Sequence, residues 1–325
     1  MPARQTSALA TGLAAAFLVV SASHASAQLS YRAPTIPSAY AAEATLRYWF
    51  GVGRNSLDLF DNTGAIPISR LTYGSHHIHS GEGAVRFDFN TGWFLKGYVG
   101  GGALASGAMI DEDFPPVLAV YSRTESGQGR GSLRYVNVDV GLKAVRGQDF
   151  HVGFFAGYHF LNQEITAFGC RQIASSPICA APIPDFVRVI TQDSHWHSVR
   201  LGVDAAVDVG RFRLSMDAAW IPYLYFNGTD AHWLRIGTTP GSFTGPVPET
   251  GPGWGYQLEA ILSYRYNNAL SLGVGGRYWH MQAGTMVHFD GHVVGVNAVA
   301  QQANSKSDNF GVFLQANFHL GPYPM

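Results

Sequence analysis

The chain has 325 residues, with 21 Lys+Arg against 22 Asp+Glu for a formal net charge of −1 and no basic block, which excludes a nucleic-acid binder. Only 13% of residues are charged, against roughly 25% in soluble domains. Two Cys exclude a disulfide-dense mini-domain, and 46% apolar content excludes a disordered chain. After residue 27 no uncharged apolar run approaches the ~20 residues of a spanning helix, so a helical membrane protein is excluded as well.

The first element in chain order is a leader. Arg4 precedes an apolar stretch from Ala8 to Val20, and small residues ending in Ala25-Ser26-Ala27 follow it. A charged n-region, a short h-region and an A-x-A site predict a signal peptide over 1–27, with the mature domain over 28–325. Export leads to an oxidising destination, where Cys170 and Cys179, in a Pro-rich stretch, can pair as a loop staple.

Beyond the leader, apolar and polar residues alternate with a period of two. Val136, Val138, Val140, Leu142 and Ala144 oppose Asn137, Asp139, Gly141 and Lys143. The same pattern recurs at Val199–Val207, Phe212–Ala218, Tyr256–Tyr264 and Phe310–Phe318. A soluble sandwich would carry Lys and Glu on its polar face, but the whole chain contains three Lys and that face mixes Arg and Asp with Gly and Ser. This suits a lumen of paired charges with aliphatic and aromatic side chains facing lipid.

Ten such segments are predicted, near 44–54, 67–89, 93–108, 132–145, 149–166, 195–208, 211–226, 254–266, 270–286 and 307–319. Tight turns at Asn90-Thr91-Gly92, Arg146-Gly147-Gln148, Asp208-Val209-Gly210 and Asn267-Asn268 alternate with long loops over 55–66, 109–131, 167–194, 227–253 and 287–306. Tyr48, Trp49, Phe50, Trp93, Phe94, Tyr264, Tyr266, Tyr278 and Trp279 are read as interfacial girdles. The fold class is an all-β, ten-stranded antiparallel transmembrane barrel with short periplasmic turns and long outer loops. An even strand count closes the sheet, which lipid requires because unpaired backbone groups there cost several kcal/mol.

Two motifs beyond upper strand ends carry candidate chemistry. One is Met109-Ile110-Asp111-Glu112-Asp113-Phe114, past the third strand; the other is Asn227-Gly228-Thr229-Asp230-Ala231-His232-Trp233, past the seventh. In extended chain the one-residue spacing sets both members of each pair on one side. Asp230 can orient His232 and stabilise its charged form, while crowding of Asp111 and Asp113 raises the pKa of one of them. A water held between His232 and Asp111 would be polarised for attack on a carbonyl without a covalent intermediate.

With these motifs in place the chain resembles the omptins, ten-stranded outer-membrane proteases of Gram-negative bacteria, from about Arg47 to Leu320. The resemblance rests on Ile68-Ser69-Arg70-Leu71-Thr72-Tyr73, Ile110-Asp111-Glu112-Asp113-Phe114, Ala156-Gly157-Tyr158 and Asp230-Ala231-His232. It implies that Asp111 and Asp113 take the place of the family's aspartate couple, and Asp230 and His232 that of its Asp-His dyad. It also implies peptide or protein substrates at the cell surface, outer-membrane lipid partners, a monomer, no cofactor, and lipopolysaccharide as a candidate activator.

Departures accompany the match. The acidic S1 pair that selects Arg or Lys in the family meets Gly228 at one position and Leu57 at the other, with Asp58 one register away. Of the family's lipopolysaccharide contacts Tyr158 is retained, while Phe160 and Asn162 replace charged residues.

Among the remaining candidates, His76, His77 and His79 lack further ligands at zinc-like spacing, so no metal is assigned. Gly100-Gly101-Gly102 reads as close strand packing, and Arg86, Asp88, Asp139, Arg200 and Glu259 as ion-paired lumen filling. Three functions stay open: an omptin-like endopeptidase activating water with Asp230/His232 and Asp111/Asp113; an inactive or altered scaffold serving adhesion or structure; and a narrow pore.

Overall fold

The computed structural model describes residues 40–116 and 119–320; the predicted leader at 1–27 lies outside them. Period-two alternation is realised as eleven strands: β1 (Tyr40–Phe60), β2 (Pro67–Phe89), β3 (Trp93–Ala105), β4 (Ala108–Asp113), β5 (Ser122–Arg146), β6 (Phe150–Gln172), β7 (Ile183–Val209), β8 (Phe212–His232), β9 (Val247–Arg265), β10 (Leu270–Val287) and β11 (Gln301–Leu320). All pairings are antiparallel, and β1 bonds both β2 and β11, so the sheet closes on itself. A single 3₁₀ turn, Trp233–Arg235, follows β8.

Ten staves make the wall, because β3 and β4 are successive pieces of one stave between β2 and β5. The chain breaks between them at Ser106 (φ 56°) and Gly107 (φ 107°). A Cβ on Gly107 would stand 2.8 Å from the Gly74 carbonyl oxygen, which explains glycine there. The neighbouring strand bulges at the same level, where Ser75 has φ 56°. Bulges of this kind shift which residues face inward.

The ten predicted segments are present, but about half of the residues predicted as long loops belong to the wall. β5 begins at Ser122 rather than 132, β6 runs on to Gln172, β7 starts at Ile183, β9 at Val247 and β11 at Gln301. In the β5 extension both faces are polar: Ser122, Thr124 and Ser126 point inward while Arg123 and Glu125 point outward. Without lipid outside, the hydrophobic contrast that marks a strand disappears.

Outward side chains define a membrane belt. Leu46, Val85, Val99, Val138, Leu214 and Leu314 are exposed between a lower ring including Trp93, Phe150, Phe212 and Tyr266 and an upper ring including Tyr48, Tyr158, Tyr223 and Trp254. Above the upper ring the outward residues turn polar at Arg54, Arg134, Asn162 and Asp193. Three residues predicted for the girdles are instead inside: Trp49, Phe94 and Trp279 are buried, because neighbours along a strand face opposite ways.

The lumen is filled. Arg86 bonds Asp204 at 2.8 Å, Arg200 bonds Asp217 at 3.0 Å, and Lys96 joins Asp204 and Asp217. Higher up, Arg277 bonds Glu82 and Glu259 at 2.6 Å each, and its guanidinium lies 4.9 Å from the ring centres of Tyr98 and Trp279. Below this aromatic layer a cavity of about 440 Å³ is lined by the charged lumen residues.

Candidate active site

Two departures from regular alternation put the acid motifs inside the upper barrel. Along β3 the inward side chains are even-numbered, ending at Leu104; after the Ser106-Gly107 break they are odd-numbered, starting at Met109. Asp111 and Asp113 therefore face the interior on β4, a strand rather than the predicted loop. Along β8 the register slips between Ile221 and Leu224. Ile221 is buried below the slip, and Leu224 and Phe226 above it, which carries Asp230 and His232 to the inward side as part of the strand. β4 and β8 stand four staves apart, across the cleft from one another. Both motifs lie above the upper aromatic ring, outside the spanning segments.

His232 Nε2 donates to Asp230 Oδ2 at 2.8 Å, while Asp230 Oδ1 is buried without a partner. The strand end holding this dyad is clamped. Trp233 Nε1 donates to Thr191 Oγ1 at 2.9 Å, and the Arg188 guanidinium lies 3.5 Å over the Trp233 ring. From the loop after β8, buried Phe243 packs edge-on against His232 at 5.8 Å between ring centres.

The groups sense one another across the cleft. Burial, then the charge of Asp113, pushes the Asp111 carboxyl up to about 7, and the nearby His232 charge opposes that rise. Burial alone would lower His232, but the Asp230 carboxylate, its hydrogen bond and Asp111 outweigh it and raise the imidazole.

Beneath the dyad lie residues that the sequence reading did not single out as site residues. Glu249 on β9 pairs in register with Gly228 and is fully buried. Gln192 Nε2 on β7 donates to Glu249 Oε2 at 3.0 Å, and Glu249 Oε1, Gln192 Oε1 and the Tyr73 hydroxyl have no partner. Burial and then Asp230 raise Glu249; burial, Asp230, Asp111 and Glu249 raise Tyr73. Glu249 and Gln192 fall in stretches predicted as loops. Their only signal was alternation carried through without hydrophobic contrast, as in Val247-Pro248-Glu249-Thr250-Gly251.

The predicted substrate-binding positions separate. Leu57 faces the interior and is buried beside Tyr73 and Phe226. Asp58 faces the other way and is ion-paired with Arg70 on the outer wall, so it does not reach the cleft. At Gly228 a Cβ would stand 2.6 Å from the Asp193 carbonyl oxygen and 2.9 Å from the Phe226 ring. The position is closed to an acidic side chain.

Tyr158 lies on the outer face, its hydroxyl 2.7 Å from His197 Nδ1. Cys170 and Cys179 are disulfide-bonded, with Cα atoms 5.8 Å apart. His76 turns inward while His77 and His79 face outward, and among the described residues no three His, Cys, Asp or Glu form a metal-ligand group.

No family model and no curated protein matches the sequence. Among solved structures the chain is similar to the outer membrane protease OmpT from Escherichia coli, with a TM-score of 0.69 and 14% identity over 86% of this chain and 97% of that one. AlkL in lipid bilayers (TM-score 0.35, 11% identity, 94% and 99% covered) and the translocator domain of NalP from Neisseria meningitidis (0.35, 9%, 88% and 90%) also match. The belt and the closed sheet agree with this likeness. The chain is an outer-membrane β-barrel.

Proposed function

We propose that this barrel is an omptin-like endopeptidase that hydrolyses peptide bonds with a water activated in the cleft between β4 and β8. What carries the reading is the double slip of alternation: it turns both Asp111/Asp113 and Asp230/His232 inward, where Asp111 and His232 perturb one another. Asp230 holds one ring nitrogen of His232 and leaves the other to accept a proton from water. The resulting hydroxide attacks the carbonyl. Asp111, protonated through burial beside Asp113, donates a hydrogen bond to the oxyanion, and the imidazolium then protonates the leaving amine.

The floor of the cleft bears on specificity. Leu57, at one position of the family's acidic pair, lies beside Phe226 and Trp196, and Glu249, opposite Gly228 at the other, is held towards its neutral form by burial. We infer cleavage that is not confined to basic residues. Outer-membrane lipid remains the partner implied for the Tyr158 face. A pore is disfavoured because the Arg277 aromatic layer crosses the lumen.

The test is to profile an unbiased peptide library by mass spectrometry with the refolded full chain. Cleavage by the parent that is lost in Asp230→Ala and His232→Ala supports the assignment; equal cleavage by parent and variants, or none by the parent, rejects it.

A further inference from the structure

A four-residue patch occurs twice on the outer face of the barrel. On the first copy β1 presents Tyr48 and Phe50 beside His77 and His79 of β2. The Tyr48 hydroxyl lies 2.7 Å from His79 Nδ1, and the Phe50 ring centre is 5.2 Å from that of His79 and 6.1 Å from that of His77. On the second copy β6 presents Tyr158 and Phe160 beside His195 and His197 of β7. Here the hydroxyl–Nδ1 distance is again 2.7 Å, and Phe160 lies 4.9 Å and 6.0 Å from His197 and His195. The register repeats too, with Phe50 opposite His79 and Phe160 opposite His197. Both copies stand at the upper edge of the lipid belt, where headgroups lie.

The copies differ in charge. In the second, Asp193 Oδ1 sits 3.2 Å from His195 Nε2 and also accepts from Asn162 at 2.7 Å, so a carboxylate already occupies the imidazole. In the first, among the described residues, no carboxylate forms an ion pair with His77 or His79. His77 meets the Ser106 hydroxyl at 3.2 Å, and β3 places only Ala103 and Ala105 opposite the two histidines. β1 adds Tyr48, Phe50 and Val52, then exposed Arg54 one step above Val52, the partner of His77. Asp308 on β11, opposite Arg54 and within reach of its charge, is engaged by the Tyr278 hydroxyl at 2.7 Å and by His280 at 2.8 Å. The outward Lys306 lies further up β11.

We propose that His77, His79 and Arg54 form a site for the phosphate of an outer-leaflet lipid headgroup, distinct from the Tyr158 face. The site rests on the outer-membrane placement, independently of any protease activity. Tyr48 holds Nδ1 of His79 and leaves its Nε2–H for a phosphate oxygen; Arg54 supplies a permanent cation, and Phe50 and Val52 meet the acyl chains below.

The refolded full chain in neutral detergent is titrated, by native mass spectrometry, with a phosphorylated glycolipid, its dephosphorylated counterpart and inorganic phosphate. The phosphorylated lipid should bind the parent about tenfold more tightly than its dephosphorylated counterpart, roughly the effect of one charge-assisted bond. His77→Gln with His79→Gln should abolish that gain, Arg54→Gln should reduce it, and His195→Gln with His197→Gln should leave it intact. The proposal is overturned if the dephosphorylated lipid or inorganic phosphate binds the parent equally well, a result that needs no variant to fold. It is likewise overturned if the gain survives the β2 substitutions or follows the β7 pair.

Discussion

The lower lumen and the upper cleft are built from the same residue types and differ in how charge is balanced. In the lumen every acid described above has a cationic partner: Asp204 takes Arg86 and Lys96, Asp217 takes Arg200 and Lys96, and Glu82 and Glu259 share Arg277. In the cleft four acids, Asp111, Asp113, Asp230 and Glu249, share one imidazole and the more distant Arg235. Paired charges fix the cylinder, whereas burial among acids raises Asp111 and Glu249 towards neutral pH. On the proposed function, the difference separates a structural use of carboxylates from a reactive one.

The largest expected effect breaks the lower region. Arg277→Ala takes from the buried Glu82 and Glu259 one of the two arginines that pair them, leaving Arg47, and should cost roughly 3–5 kcal/mol, the loss usual when one partner of a buried pair is removed. Denaturant unfolding in detergent measures it; a loss comparable to that of an exposed pair would put the two regions on the same footing. In the cleft, Asp230→Ala or His232→Ala should lower kcat at least a hundredfold, as expected for a positioned acid–base pair, while heat-modifiable gel mobility reports an intact barrel.

How much of this was legible in the sequence follows the same division. Where lipid lies outside and ion pairs inside, as at Val136–Val145, alternation has full contrast and places each side chain. Above the belt water touches both faces, so β4, the upper part of β5 and the start of β9 read as loops. The two slips, at Ser106-Gly107 and between Ile221 and Leu224, leave no mark in a period-two pattern, yet they decide which way the acid motifs face. The motifs were visible through spacing and resemblance, but their inward aim was not. The misplacement of Trp49, Phe94 and Trp279 has a simpler cause: aromatics cluster at both interfaces and in the lumen layer, and composition alone does not choose a face.

The middle-sized predictions sharpen the contrast through pH. Ionising Asp111 costs more in the fold than in the unfolded chain, because its pKa is raised to about 7. The cost is absent below an ordinary carboxyl pKa of about 4, grows as pH rises, and is complete above the folded value. Asp111→Asn should therefore stabilise the barrel at about pH 8 and not at about pH 4, opposite in sign to Arg277→Ala. Asp113→Asn removes the charge that helps to hold the Asp111 proton, so the alkaline limb of the kcat profile should move to lower pH. A limb that stays in place would detach Asp111 from the rate.

The smallest effect concerns Asp58, which tests whether an acid one residue from the cleft belongs to it. Its partner Arg70 is partly exposed on the outer wall, and such pairs contribute about 0–1 kcal/mol. Asp58→Asn should shift the unfolding midpoint little and leave the cleavage pattern on a peptide library unchanged, whereas Glu249→Gln, beneath the dyad, should redistribute it. A changed pattern in the Asp58 variant would mean that the strand can turn over locally at the bulge between Leu59 and Phe60. The specificity of the cleft would then be set by a register that β1 is free to choose.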